Sequence, residues 1–168
     1  MNWINAAVAG VVLGGLYALY ATGLSVSFGV MRLINLAHGD LAVTAAFLSS
    51  TLVLTFGGSP FWTILVLMPV GFGVGLLLQK VVFDRLVGVD PAFQIVATFG
   101  LSIVIQNALL KVYTADRRAL DIGSLKTKAL SIGEVSIGVF PLLRFAVAVL
   151  VLVSLSLFLG RTSTGRAF

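Results

Sequence analysis

The chain has 168 residues, of which 59% are hydrophobic and 10% are charged, and its formal net charge is +5. A soluble domain carries charged side chains at about a quarter of its positions, so this composition excludes a water-soluble enzyme. The same apolar content excludes a disordered polymer. The mean hydropathy of +1.11 indicates a protein that lies in a lipid bilayer.

Charged residues mark the ends of five apolar segments. Each segment is close to the roughly 20 residues that a helix needs to cross a hydrocarbon core of about 30 Å. The turn sequence at residues 57–60 separates the second segment from the third. The predicted spans are residues 4–28, 36–56, 61–82, 92–110 and 137–160. The sequence therefore predicts an all-α, polytopic bundle of transmembrane helices that forms a single domain over residues 1–168.

Residues 111–136 form the one extended polar segment. Within it, Leu130-Ser-Ile and Val135-Ser-Ile alternate apolar and polar residues around Gly133-Glu134, which predicts a small hairpin with a two-residue turn that begins with Gly. Because strand backbone cannot face lipid, we expect this hairpin outside the membrane.

The loop charges say little about orientation. With the N-terminus outside, the inner loops hold Arg32, Lys80, Arg85, Arg161 and Arg166, and the outer segment holds Lys111, Arg117, Arg118, Lys126 and Lys128. These equal numbers leave the positive-inside rule without a decision. Arg32 in the first connection favours an N-terminus outside, which makes residues 111–136 an outer segment.

The fourth predicted span carries a polar stripe, which we define as Gln94, Thr98, Ser102 and Gln106. Residues four positions apart lie on one face of a helix. That face is a poor neighbour for lipid, so it must contact other helices through hydrogen bonds or line a water-filled path for a polar solute. Helix packing and the lining of a translocation path both remain open.

Asn35, His38 and Asp40 form the densest polar cluster at a span boundary. One interpretation is a cap and docking point at the start of the second helix, where Asp40 complements the helix dipole. The other is the inner end of the translocation path, or its gate. The depth of this cluster in the bilayer decides between them. An ionisable group near the bilayer centre costs about 2.5 to 3.5 kcal/mol or more, so a deep position would favour a function.

Two pairs of glycines, Gly10 with Gly14 and Gly71 with Gly75, have the spacing of small residues that lets helix backbones approach closely. They favour a packed bundle of several helices. They do not identify its activity.

Several classes of site have no support in the sequence. The chain has no cysteine and a single His, so neither a thiolate site nor a metal site is indicated. The basic residues form no run that would favour nucleic acid. No phosphate loop or catalytic motif is found, so we predict no catalytic residue, no metal and no cofactor, and an energy source on another subunit or in an ion gradient.

Three segments carry a family resemblance. Residues 15–40, GLYALYATGLSVSFGVMRLINLAHGD, resemble the N-terminal signature of the permeases of high-affinity branched-chain amino-acid ABC transporters, in particular the H-type subunit. Residues 97–102, ATFGLS, with Gln106-Asn107 resemble the fourth-span region of that family. Residues 161–167, RTSTGRA, resemble the basic segment that leads to its cytoplasmic coupling loop.

The resemblance implies a multi-pass permease of the bacterial inner membrane that is not itself an enzyme. Its implied partners are a second permease subunit, cytoplasmic ATPase subunits that hydrolyse ATP, and a periplasmic solute-binding protein. Arg161 and Arg166 would then face the ATPases, which again places the N-terminus outside. Members of the family are longer, so we expect this chain to be the N-terminal portion of a permease.

Other functions remain open at this point. Urea and short-chain amide permeases share the signature of residues 15–40. A carrier or channel driven by an ion gradient would need a site within the spans, and Asp40 with His38 is the one pair that could form it. An assembly subunit that transports nothing is a third alternative.

Overall fold

The computed structural model describes residues 3–57, 59–114, 129–132 and 135–161. Over these residues the chain forms five α-helices and one two-stranded sheet. The helices are α1 (Trp3–Met31), α2 (His38–Phe56), α3 (Thr63–Val81), α4 (Pro91–Tyr113) and α5 (Val139–Arg161), and the strands are β1 (Ala129–Ile132) and β2 (Val135–Gly138). All five helices are long and apolar enough to cross a membrane. The predicted all-α bundle with five spans is confirmed.

Local chemistry explains where the helices begin and end. The Asp90 side chain accepts a hydrogen bond of 2.8 Å from the Ala92 N–H and caps α4, and Pro91 fixes the first turn. Gly57 ends α2 with a φ of 72°, a conformation that favours glycine. Single-turn 3₁₀ helices at Pro60–Trp62 and Phe83–Arg85 lie in the connections on either side of α3.

The chain forms two compact units. One unit contains Met1–Val30 and Ile122–Phe168, and therefore holds α1, the hairpin and α5. The other contains Met31–Asp121, and therefore holds α2, α3 and α4. The single domain expected over residues 1–168 stays a prediction.

In the first unit, α1 and α5 meet at a glycine. Gly15 is buried, and a ring carbon of Phe145 lies 2.5 Å from the position that a Cβ atom would take there. At Gly10 and Gly14 of the same unit, and at Gly71 and Gly75 of the other, an added Cβ would meet no described atom within 4 Å. These four glycines are exposed on the outer faces of their helices. Their predicted role in packing is not seen within the described residues of either unit, where the close approach is made at Gly15.

The hairpin has the register that the sequence pattern predicts. Strands β1 and β2 are antiparallel, with Ser131 opposite Ser136 and Ile132 opposite Val135. The turn at Gly133 and Glu134, and most of the polar segment before it, lie outside the described residues. The predicted strand pairing is confirmed.

In the second unit, α2 and α4 run parallel. The Thr98 hydroxyl donates to the Ile34 carbonyl just before α2 begins, whereas the Thr51 hydroxyl, late in α2, donates to the hydroxyl of Tyr113 at the end of α4. Later residues of α2 therefore contact later residues of α4, which shows that the two helices run in the same direction. Helix α3 connects the end of α2 to the start of α4 and runs in the opposite direction. A hydrogen bond of 2.8 Å between the hydroxyls of Ser49 and Thr63 joins it to α2.

Candidate functional site

The polar stripe of α4 is turned mostly inward. The exposed fractions of Gln94, Thr98 and Ser102 are 4%, 0% and 6%, while Gln106 is exposed. Buried polar side chains require hydrogen-bond partners. The partners of each member therefore show what the stripe does.

Gln94 anchors the connection between α3 and α4. Its Nε2 donates to the carbonyl of Leu86 at 3.1 Å and to that of Val89 at 3.0 Å. Its Oε1 is buried and accepts no hydrogen bond within the described part of the chain. Gln94 therefore joins this connection to the start of α4.

Thr98 connects α4 to the irregular segment of residues 33–37, which precedes α2. Its Oγ1 lies 3.0 Å from the Ile34 carbonyl oxygen, and also 2.9 Å and 3.2 Å from the carbonyl oxygens of Gln94 and Ile95 in its own helix. The contact with Ile34 joins two parts of the chain that are 64 residues apart. It holds the irregular segment against the first half of α4.

Most of the irregular segment is buried, although Leu36 is exposed, and the segment partly satisfies its own polar groups. Leu33 and Ala37 are fully buried, and Asn35 is nearly so. The Asn35 Oδ1 accepts from the Ala37 N–H at 3.0 Å, and the Asn35 carbonyl accepts from the His38 N–H at 3.3 Å. Irregular backbone at membrane depth is tolerated only where protein buries it or where it lines a cavity. Asn35 therefore closes a turn just before α2, while the N-cap residue itself, Ala37, makes no side-chain cap hydrogen bond.

Asp40 joins the two predicted clusters into one. Ser102 Oγ donates to Asp40 Oδ2, and Gln106 Nε2 donates to Asp40 Oδ1 at 3.0 Å. Gln106 Nε2 also lies 3.1 Å from Ser102 Oγ. We call Asp40, Ser102 and Gln106 the Asp40 cluster. His38, at the first position of α2, is half-buried.

The Asp40 cluster lies beside the middle of α4. Helix α4 covers Pro91–Tyr113, so eleven of its residues precede Ser102 and eleven follow it. At about 1.5 Å per residue, Ser102 is about 16 Å from either end. Asp40 is in the first turn of α2, so α2 begins beside the middle of α4. The sequence places Asp40 at the entrance of its own helix, but it does not show how far along α4 that entrance lies.

A cavity of about 400 Å³ opens next to the Asp40 cluster. Asp40 and Gln106 contribute its polar groups, and the walls are otherwise formed by Val43, Phe47, Leu109, Leu110 and Thr114. The Phe47 ring stacks on Tyr113 with 4.7 Å between the centroids, which fixes one wall. Sequence reasoning did not identify the apolar wall residues. The spacing of Val43 and Phe47 behind Asp40, at three and seven positions, is the signal that could have found them.

The predicted basic segment is only partly described. Arg161 is exposed at the end of α5, whereas Arg166 lies outside the described residues.

Comparison with known proteins identifies the family. Residues 6–168 match the family described as "Branched-chain amino acid transport system / permease component". The high-affinity branched-chain amino acid transport system permease protein BraD of Pseudomonas aeruginosa is 24% identical over an alignment of 177 positions. The alignment covers 99% of this chain and 58% of BraD. The permease protein LivH of Escherichia coli K12 is 25% identical over 171 residues, which cover 94% of this chain and 55% of LivH. LivH of Salmonella typhimurium is 24% identical with the same coverage.

The chain thus spans between 55% and 58% of the length of these relatives. No solved structure matches it. The relatives are transport components, as the resemblance of residues 15–40 implies, and they agree with the expectation that the chain is not an enzyme. Since the match extends over nearly all of its residues, the chain belongs to the family of permease components of branched-chain amino acid transport systems.

Proposed function

We propose that this chain is part of the membrane-spanning permease subunit of an ATP-driven importer for branched-chain or related small amino acids. The observation that carries the proposal is the family match over residues 6–168, in a chain with five helices able to cross a membrane. The Asp40 cluster and its cavity provide a polar position at mid-depth of α4, where a solute in transit needs hydrogen bonds.

The energy source in this proposal lies on partner subunits. The sequence has no phosphate-binding loop, so ATP hydrolysis is assigned to cytoplasmic ATPases that Arg161 and Arg166 face. A second permease subunit completes the membrane part of the importer. A periplasmic binding protein delivers solute to the outer segment, residues 111–136. This arrangement belongs to the bacterial inner membrane with the N-terminus outside.

The polar stripe divides into two parts in the proposed mechanism. Gln94 and Thr98 hold the chain segments around α4 in place, with Asn35 and His38 at the joint before α2. Ser102 and Gln106, with Asp40, line the translocation path. Hydrogen bonds in such a path must be weak enough for the solute to leave when the permease pair changes from its outward-open to its inward-open form.

Uptake into proteoliposomes tests this function. The complex containing this chain is expected to import leucine, isoleucine and valine only with ATP and with the binding protein present. Uptake that follows an imposed proton gradient without the ATPases would instead identify a carrier driven by that gradient. Unchanged uptake after deletion of the chain, despite its copurification with the ATPases, would identify an assembly subunit.

The same assay separates amino acids from urea and short-chain amides. The apolar walls that Val43, Phe47, Leu109 and Leu110 give the cavity suit an aliphatic side chain better than urea, which has none. Preferred uptake of urea or acetamide over leucine would assign the complex to the amide permeases.

A further inference from the structure

We propose that the Asp40 carboxylate binds the α-ammonium group of the transported amino acid while the aliphatic side chain occupies the apolar part of the adjoining cavity. The inference rests on the proposed function and adds the site at which this chain recognises its substrate. Three observations carry it: the partners of Asp40, its position beside the middle of α4, and the composition of the cavity.

Among the described residues, the partners of Asp40 leave its charge uncompensated. Ser102 and Gln106, the two side chains that donate to its oxygens, are both neutral. A carboxylate has about four lone-pair sites and each oxygen receives one of these donors, so about one site on each oxygen remains for a ligand. An ammonium group brings three donors and the opposite charge, and hydrogen bonds between charged groups are about twice as strong as neutral ones.

The position of Asp40 strengthens the attraction between its charge and a cationic ligand. Asp40 bonds to Ser102, the central residue of α4. A carboxylate at the centre of a bilayer costs about 2.5 to 3.5 kcal/mol or more, and less towards its surfaces. A cationic ligand offsets part of this cost, because opposite charges attract more strongly in a medium of low dielectric constant. Structural packing alone would be served by a neutral asparagine, which has a similar shape.

The cavity is suited to the rest of an amino acid. Its volume of about 400 Å³ is within the range of about 300 to 1,000 Å³ that is typical of small-molecule sites. Beyond Asp40 and Gln106, its walls include two leucines, one valine and one phenylalanine. Burial against such walls favours a branched aliphatic side chain by about 25 cal/mol per Å² of apolar surface. A charged group at one end and an apolar wall beyond it match an amino acid with an aliphatic side chain.

A thiol-protection experiment tests binding without depending on transport. The chain has no cysteine, so a Leu110→Cys variant places one thiol in the cavity wall of the reconstituted complex, with accessible cysteines of the partner subunits replaced. Leucine and 3-methylbutylamine, which keep the ammonium group, are expected to slow labelling by a water-soluble thiol reagent. 4-Methylpentanoate, which has the leucine skeleton without the ammonium group, is expected to leave the labelling rate unchanged.

The Asp40→Asn substitution in the same background is the decisive variant. It is expected to raise the leucine concentration for half-maximal protection at least tenfold. Asp84→Asn is the matched control, because Asp84 lies in the connection after α3, where its exposed carboxylate accepts a hydrogen bond from Gln79. Equal protection in Asp40→Asn and the parent, or equal protection by 4-methylpentanoate and leucine, would overturn the inference. Uptake of leucine by a complex that shows no protection would overturn it too and leave the proposed function intact.

A second pair of variants covers the case in which Asp40→Asn does not fold. Val43→Trp narrows the cavity without touching the carboxylate, and Val104→Trp adds the same bulk to α4 at a position that is not part of the cavity wall. Both valines are exposed, at 44% and 65%. At equal membrane abundance, Val43→Trp is expected to raise KM for leucine uptake at least fivefold and Val104→Trp to leave it unchanged. An unchanged KM in both would overturn the inference, whereas a wild-type complex that imports no amino acid would overturn the proposed function itself.

Discussion

Thr98 shows how a single hydroxyl stabilises irregular backbone within a membrane. Replacing it with valine keeps the shape but removes the donor to the Ile34 carbonyl, in a position with no exposed surface. Leaving a buried acceptor unsatisfied costs about 1 to 3 kcal/mol. Thr98→Val is therefore expected to lower the free energy of unfolding by that amount, measured in detergent by denaturant titration.

The matched control for Thr98→Val is Thr22→Val. The Thr22 hydroxyl donates to the Ala18 carbonyl four residues earlier in α1, an oxygen that the helix itself can satisfy. A much smaller loss is expected there. Equal losses for the two variants would show that the contact with Ile34 does not stabilise the fold.

Gln106 is expected to affect transport more than stability. It is exposed and supplies one of the two donors to Asp40, so Gln106→Leu alters the Asp40 cluster without opening a buried cavity. Uptake of leucine is expected to fall at least fivefold while the membrane abundance of the permease stays within twofold of wild type. Asn107→Leu is the control, because that amide is also exposed but donates within α4, to the Ile103 carbonyl. Similar uptake in the two variants would contradict the role of Gln106 in the path.

The sequence predicts which side chains share one face of a helix, but it does not predict which residues of other helices they contact. Periodicity identifies the polar stripe because spacing along one helix is fixed by its geometry. The contacts of Asp40 with Ser102 and Gln106 join positions 62 and 66 residues apart. They depend on how far α2 is displaced along α4, and no local pattern encodes that displacement.

Charges and turn residues mark the helix ends only to within a few residues. The fourth span, expected over residues 92–110, begins at Pro91 but continues to Tyr113. Lys111 does not end it, because a lysine in the last turn interacts favourably with the helix dipole and can extend its ammonium group towards water. The second helix begins at His38 rather than residue 36.

The crossing of α1 and α5 depends on the absence of a side chain at Gly15. A Cβ atom there would lie 2.5 Å from a ring carbon of Phe145, so Gly15→Ala requires the ring to move. Overpacking of this kind costs about 1 to 3 kcal/mol, and a lower midpoint of thermal unfolding in detergent is expected. In Gly14→Ala the added methyl has no described atom within 4 Å, and the midpoint is expected to stay or rise, because alanine favours helix by about 1 kcal/mol.

A double variant decides whether the ring of Phe145 causes the loss. Combining Gly15→Ala with Phe145→Leu is expected to restore part of the stability that the single glycine substitution removes. If the loss of stability in the double variant equals the sum of the losses in the two single variants, these positions do not interact.

For the whole molecule, the parallel direction of α2 and α4 fixes the alternation of the connections. With the N-terminus outside, residues 57–60 and the polar segment after α4 face outwards, while the connection between α3 and α4 faces inwards. Single cysteines at Ser59 and Ser124 are expected to react with an impermeant thiol reagent in intact cells, and one at Val87 to react only after permeabilisation. Protection of both serine positions in intact cells would reverse the orientation.

The composition is sufficient to predict a membrane protein, since 59% hydrophobic residues cannot be covered by a polar surface. It does not predict that the chain forms two compact units. That division depends on which helices touch, such as α1 with α5 at Gly15 and Phe145. Helices that are similarly apolar on all sides give no indication of their neighbours.

The separation of 62 residues between Asp40 and Ser102 has a consequence for synthesis. Ribosomes add about 5 to 20 residues per second, so the carboxylate is made roughly 3 to 12 s before the hydroxyl that donates to it. During that interval the Asp40 side chain lacks the hydrogen bonds that Ser102 and Gln106 later donate. The position of α2 along α4 can therefore be fixed only after the fourth helix has been made, which ties the final placement of the second helix to that of the fourth.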